Sequence, residues 1–218
     1  MMECLVLGPI ATNCWIDPIK EKTENQRSCI LIDPGADGDS IITRLKRRGL
    51  RPALVLLTHG HFDHVAALAS VVRAFPDGPA IDIAIHSADA FYLGGRAKAA
   101  HLRDFASVGG ASYVEGLWEE LPAPTRFLSE GDRIGPFTVL HLPGHTAGSV
   151  GFYDPEGGRL FSGDTLFSGA VGRTDLPGGD GRALVQSLQR LWTLPAKTRV
   201  YPGHGDETTI GRERGTYA

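Results

Sequence analysis

Three histidines and an aspartate fall within the stretch Thr58-His59-Gly60-His61-Phe62-Asp63-His64. Imidazole nitrogens and carboxylate oxygens packed so closely are a transition-metal donor set, and this mixture suits zinc, iron or manganese. His59 and His61 are two residues apart, so an extended strand exit points both side chains the same way. Asp63 and His64 enter from the far side of the turn. One loop can therefore offer two imidazoles to one ion and an imidazole with a carboxylate to a second. Three later places repeat the layout, in His141-Leu142-Pro143-Gly144-His145, Ser162-Gly163-Asp164 and Pro202-Gly203-His204. In each, an apolar run ends and a glycine directly precedes a candidate ligand. The set is His59, His61, Asp63, His64, His145, Asp164 and His204. The absence of thiolates from it argues against a closed structural zinc site and for metal-assisted catalysis.

Such loops need strands that end at a common sheet edge. Short apolar runs predict strands over Cys4–Leu7, Cys14–Ile16, Ser28–Ile32, Ala53–Leu57, Ile81–Ile85, Thr138–Leu142, Val150–Tyr153, Arg159–Phe161 and Arg199–Tyr201. The polar stretch from Asp17 to Gln26 reads as a long hairpin loop. Helical spacing of apolar residues appears over Ser40–Arg48, Asp63–Phe75 and Arg182–Trp192, the last with Val185, Leu188, Leu191 and Trp192 on one face. The basic run at Lys46-Arg47-Arg48 before Gly49 reads as a solvated helix end. Short helices are expected between Gly94 and Phe127. Two clusters of strands with helices between and after them predict an α/β sandwich, with two mixed sheets face to face and helices outside, as a single domain over residues 1–218.

The H-x-H-x-D-H loop, the later Pro-Gly-His, the Gly-Asp and the final Pro-Gly-His resemble the metallo-β-lactamase superfamily. The likeness runs over essentially the whole chain, from Ile32-Asp33-Pro34-Gly35 to Gly203-His204. Within the superfamily the pattern is most similar to glyoxalase II-like thioester hydrolases (hydroxyacylglutathione hydrolases) in their short prokaryotic form. That resemblance implies a four-layer αβ/βα sandwich and two divalent metals, zinc foremost, with iron or manganese as alternatives. It implies His59, His61 and His145 on one metal, Asp63, His64 and His204 on the other, Asp164 bridging, and Asp33 beneath the metal loop. The implied reaction is cleavage of S-lactoylglutathione or a related acyl thioester by a hydroxide shared between the metals, with Asp63 orienting the nucleophile.

Two features depart from the long glyoxalase II enzymes. Those carry a C-terminal helical domain that helps hold glutathione, which is not expected here. They also carry a Lys-x-Tyr element after the bridging aspartate. Gly172-Arg173-Thr174-Asp175 puts Arg173 at the lysine and Asp175 at the tyrosine, which makes Arg173 the candidate to hold a substrate carboxylate. The same Gly-Arg-Thr-Asp also resembles iron-dependent persulfide dioxygenases, the second reading, in which only His59, His145 and Asp164 would hold iron. Leu176-Pro177-Gly178-Gly179-Asp180 favours the hydrolases.

The formal net charge of −3 gives no electrostatic footprint for nucleic acid or an anionic membrane. A small-molecule substrate is therefore expected. No G-x-S-x-G elbow, phosphate loop or G-x-G-x-x-G occurs. Met1-Met2-Glu3-Cys4 opens no signal peptide, and no run approaches the ~18 apolar residues of a membrane span, so the expected location is the cytoplasm. Cys4, Cys14 and Cys29 read as buried strand thiols. Of the remaining histidines, His86 reads as a helix-start residue and His101 as a solvated helix residue. His141 reads either as an orienter of a metal ligand or as strand packing.

Overall fold

The apolar runs of the first half form the strands expected of them, and two polar helix ends are tied down by charge. The computed structural model describes residues 1–19, 27–106 and 108–217. The chain divides into two compact units: Met1–Leu57, His61–Ile85 and Ala90–Arg126 in the first, and Thr58–Gly60, His86–Asp89 and Phe127–Ala218 in the second. The H-x-H-x-D-H loop passes from the second to the first between Gly60 and His61.

In the first unit β1 (Glu3–Leu7), β2 (Thr12–Pro18) and β3 (Arg27–Ile32) run antiparallel. The expected hairpin is present, although Asp17 and Pro18 belong to β2 rather than to its loop; residues 20–26 lie outside the described residues. α1 (Gly38–Arg47) leads to β4 (Leu50–Leu56), parallel to β3. Next come α2 (Phe62–Val65), α3 (Leu68–Ala74) and β5 (Asp82–His86), which is parallel to β4. α4 (Ala97–Ala106), α5 (Ala111–Leu117) and β6 (Arg126–Leu128) follow. The sheet order is β1-β2-β3-β4-β5-β6.

Cys29, Ile30, Leu31 and Ile32 are all buried, the continuous apolar run of a strand covered on both faces. Leu31 and Val55 share a core with Ile41 and Leu45 of α1 and with Phe62, Leu68 and Val71. The single helix expected over 63–75 is broken in two. Ala67 N–H donates to the carbonyl of Pro34 at 3.0 Å, a partner distant in sequence. The basic end of α1 is also not simply solvated, because Arg44 and Arg48 both pair with Glu3 on β1. Cys14 and Cys29 are buried and Cys4 half-buried, all free thiols as expected. Burial pushes Cys29 up to about 12.

In the second unit β7 (Arg133–Ile134), β8 (Phe137–His141), β9 (Val150–Asp154) and β10 (Arg159–Gly163) form an antiparallel meander. A two-stranded ribbon follows, β11 (Leu166–Phe167) and β12 (Ala170–Val171). After α6 (Gly181–Leu191) come β13 (Arg199–Pro202), β14 (Thr208–Thr209) and α7 (Ile210–Tyr217). The order is β14-β13-β10-β9-β8-β7, with β13 parallel to β10. Asp180 starts α6 by accepting the amides of Arg182 and Ala183 at 2.8 and 3.0 Å. Leu184, Leu188 and Leu191 of α6 pack with Leu140, Leu160 and Val200. Val185, expected on that face, is exposed and Leu184 takes its place.

The fold is thus mixed α/β with two six-stranded mixed sheets and helices, in agreement with the class read from the sequence. No helix among the described residues is long and apolar enough to cross a membrane.

Candidate metal centre

In the first unit the ligand helix α2 begins directly after His61, whose backbone is extended at φ −62° and ψ 149°. Asp63 and His64 therefore sit in its opening turn. Asp33, at the exit of β3, lies behind them. Its Oδ2 accepts from His64 Nδ1 at 3.0 Å, and the two side chains are only 2% and 0% exposed. Donation from Nδ1 to a carboxylate fixes the tautomer and makes Nε2 the ligand atom. His64 Nε2 is 3.4 Å from Asp63 Oδ2, which accepts the Thr12 hydroxyl at 3.1 Å. The backbone beneath is equally close. A Cβ on Gly35 would stand 1.7 Å from the Asp63 carbonyl oxygen, so only glycine fits. His61 is held edge-on by Tyr92 and Phe105, with ring centroids 5.8 and 6.1 Å away.

His101 is not the solvated residue its sequence neighbours suggest. It is fully buried, donates from Nε2 to the carbonyl of Tyr92 at 2.9 Å, and packs against Phe62, Tyr92 and Trp118. The polar neighbours misled because Arg103 and Asp104 pair with each other, and Asp104 also takes the Tyr92 hydroxyl. Burial pushes the His101 imidazole down from 6.5 to about 4.

In the second unit four candidate ligands meet. His59 Nδ1 is hydrogen-bonded to the Thr58 hydroxyl at 3.1 Å, and its ring stands edge-on to His145 at 4.7 Å. His145 Nδ1 donates to the carbonyl of Arg173 at 2.9 Å. Its Nε2 lies 3.6 Å from Asp164 Oδ2, and His204 Nε2 approaches the same oxygen at 3.4 Å. Asp164 reaches this position because the pairing of β10 with β13 shifts register between Phe161 and Gly163, just before it. Ligand atoms of His59 and Asp164 come within 4.8 Å of each other.

The donor set fits divalent metal in both units. His64 and His145 turn Nδ1 to a carboxylate or carbonyl and His59 engages its Nδ1 with a hydroxyl, the arrangement in which imidazole binds metal through Nε2.

The other residues picked out from the sequence fare differently. His86 ends β5, just before the short helix that starts at Ser87, and stacks on His141, ring centroids 4.2 Å apart. His141 donates from Nε2 to the carbonyl of Ala147 at 3.0 Å, so it braces the loop that carries His145. Arg173 is half-exposed, and its guanidinium forks onto Asp175 with two contacts of 2.7 Å. That hydrogen-bonded charge pulls Asp175 down to about 2. Asp89 is a residue that the sequence does not single out. It is buried, and burial raises its pKa, opposed by hydrogen bonds from Thr146, Gly60 and Gly148 and by His145. An acidic residue three positions beyond the end of a buried strand was the signal available for it.

Comparison with known proteins agrees with this chemistry. The model of the metallo-beta-lactamase superfamily matches residues 23–204, which takes in every candidate ligand. The probable metallo-hydrolase YqgX of Bacillus subtilis is 36% identical over 214 residues, 95% of this chain and 92% of its own length. The hydroxyacylglutathione hydrolase GloC of Haemophilus influenzae is 32% identical over 197 residues, 88% of this chain and 86% of its own. Among solved structures, TTHA1623 in a di-iron-bound form superposes with a TM-score of 0.79 at 41% identity, covering 97% of this chain and 96% of that one.

Proposed function

The chain belongs to the metallo-β-lactamase superfamily and is a metallo-hydrolase, and we propose that its substrate is a thioester cleaved at a two-metal centre. In this reading His59, His61 and His145 would hold one divalent cation, Asp63, His64 and His204 would hold a second, and Asp164 would serve both. The observation that carries it is the placement of a single Asp164 oxygen between His145 Nε2 and His204 Nε2, at 3.6 and 3.4 Å. Those imidazoles belong to different ligand sets, and a shared carboxylate is what links two ions. Zinc suits the imidazole and carboxylate donors, and iron does too; the similar TTHA1623 is known in a di-iron-bound form. The family match crosses both units, which supports their acting as one catalytic domain.

Two divalent cations held there would supply Lewis acidity and bring the pKa of a bound water down to about 7. The chain does the rest. Asp63, anchored through Oδ2 by the Thr12 hydroxyl, orients the attacking water. The Arg173 carbonyl holds His145 in place while its guanidinium is available to an anionic group of the substrate, which must first displace Asp175. Water adds to the acyl carbon, the carbon–sulfur bond breaks, and a carboxylic acid and a thiol leave. The 32% identity to a hydroxyacylglutathione hydrolase supports a thioester in particular.

The test is thiol release from S-lactoylglutathione and related thioesters by zinc- or iron-loaded protein under nitrogen. Saturable release, with background oxygen uptake on glutathione persulfide, is the expected result. Persulfide-dependent oxygen consumption without anaerobic thioester cleavage would transfer the assignment to persulfide oxidation.

A further inference from the structure

Asp89 lies in the short 3-10 helix Ser87–Tyr92 after β5 and is 1% exposed. Its carboxylate accepts three hydrogen bonds, and every donor belongs to a loop that carries a candidate ligand. Oδ2 takes the amide of Gly60, next to His59, at 3.0 Å. The same oxygen takes the hydroxyl of Thr146, next to His145, at 2.7 Å. Oδ1 takes the amide of Gly148, in the same loop as Thr146, at 2.8 Å. Thr146 is fixed further by Ser149, whose Oγ accepts the Thr146 amide at 3.1 Å. Two amides and a hydroxyl converging on one buried group call for an acceptor on both oxygens, which an ionised carboxylate is. Packing adds to the point. A Cβ on Gly148 would stand 2.5 Å from Asp89 Cγ, so the loop comes as near to the carboxylate as glycine allows.

We propose that Asp89 is a positioning residue that holds the His59 loop and the His145 loop in register and thereby sets the affinity of the metal position they share. The proposal rests on the two-metal reading above. Asp89 directs its hydrogen bonds to the loops rather than to the imidazoles. It acts through the backbone of Gly60 and through Thr146 and Gly148, so that the imidazoles of His59 and His145 are in place before an ion arrives. The other position is supported separately, by Asp33 behind His64 and Thr12 behind Asp63. Losing Asp89 should therefore weaken one position and spare the other, which a general loss of stability would not do.

Two variants test this. Asp89→Asn turns an amide NH2 towards one of the donors, and Thr146→Val removes one hydrogen bond with little change of shape. Stepwise zinc titration against a chromophoric chelator gives both affinities, with the positions assigned by His145→Ala and His64→Ala. Asp89→Asn should weaken the His59/His145 position by about 10–100-fold, the usual cost of removing support behind a metal ligand. Thr146→Val should weaken the same position several-fold, and both variants should leave the other position within threefold. In metal-free protein, the ring resonances of His59 and His145 should broaden in each variant while that of His64 stays sharp. Unchanged affinities in both variants, or equal losses at both positions, would overturn the proposal. Wild-type protein that takes up no metal would overturn the two-metal reading and this proposal with it.

Discussion

Asp33→Asn tests whether His64 is held as a ligand or merely buried. Asp33 Oδ2 is 3.0 Å from His64 Nδ1, and side-chain exposures of 2% and 0% leave no water to replace the bond. Removing the carboxylate behind a metal-bound histidine costs about 10–100-fold in metal affinity, or ~1.4–2.8 kcal/mol. Asparagine is the informative choice because Asp33 has φ 51°, a left-handed conformation that Asn adopts readily. Alanine there would add about 1–2 kcal/mol of backbone strain. It would also leave a buried imidazole N–H without its acceptor, for a further ~1–3 kcal/mol. Asp33→Asn should therefore keep its fold and bind the second ion about 10–100-fold more weakly. Asp33→Ala should in addition lose about 2–5 kcal/mol of stability. Chelator competition reads the first effect and urea unfolding of metal-free protein the second. Wild-type affinity in Asp33→Asn, or equal stability of the two variants, would refute the assigned role.

Gly35→Ala should displace Asp63 and abolish binding of the second ion, since the new Cβ would stand 1.7 Å from a backbone oxygen; two tightly bound ions per chain in that variant would contradict the packing. His101 is held at about 4 against an unfolded value of 6.5, so the unfolded chain takes up a proton between those pH values. Its contribution is accordingly complete above pH 6.5 and lost as pH falls towards 4, and His101→Leu should flatten that acid limb in urea unfolding; identical pH dependence in variant and wild type would show that His101 does not carry it. Asp175→Ala frees the Arg173 fork and should lower KM for a carboxylate-bearing thioester by a few-fold at most, since an exposed ion pair contributes little. Arg173→Ala should raise KM more than it lowers kcat, and equal changes on an uncharged thioester would give the pair a structural role.

The candidate ligands stood out in the sequence because four donor residues in one short loop have few structural uses, and because each later candidate follows a glycine at a strand exit. The strands that carry them were legible too. β3 from Cys29 and β4 from Ala53 read as apolar runs. The groups that hold the ligands were less visible. Only the family resemblance pointed to Asp33 beneath the metal loop, because its partner His64 is 31 residues away. Asp89 is 29 residues from Gly60 and 57 from Thr146, so its role exists only in the folded chain. His101 looked solvated beside Arg103 and Asp104, yet those two satisfy each other and the imidazole packs against aromatic rings. The break between α2 and α3 depends on the distant carbonyl of Pro34, which helical periodicity does not reveal. β7, β11, β12 and β14 are two residues each, too short to show alternation.

Anomalous X-ray scattering from crystals of metal-loaded protein tests the two-metal centre most directly. Two ions per chain are expected about 3.5–4 Å apart, the spacing at which a pair can act on one carbonyl. Asp164 should contact both, with His59, His61 and His145 on one and Asp63, His64 and His204 on the other. A single ion under every loading condition, or two ions that share no Asp164 carboxylate, would contradict it.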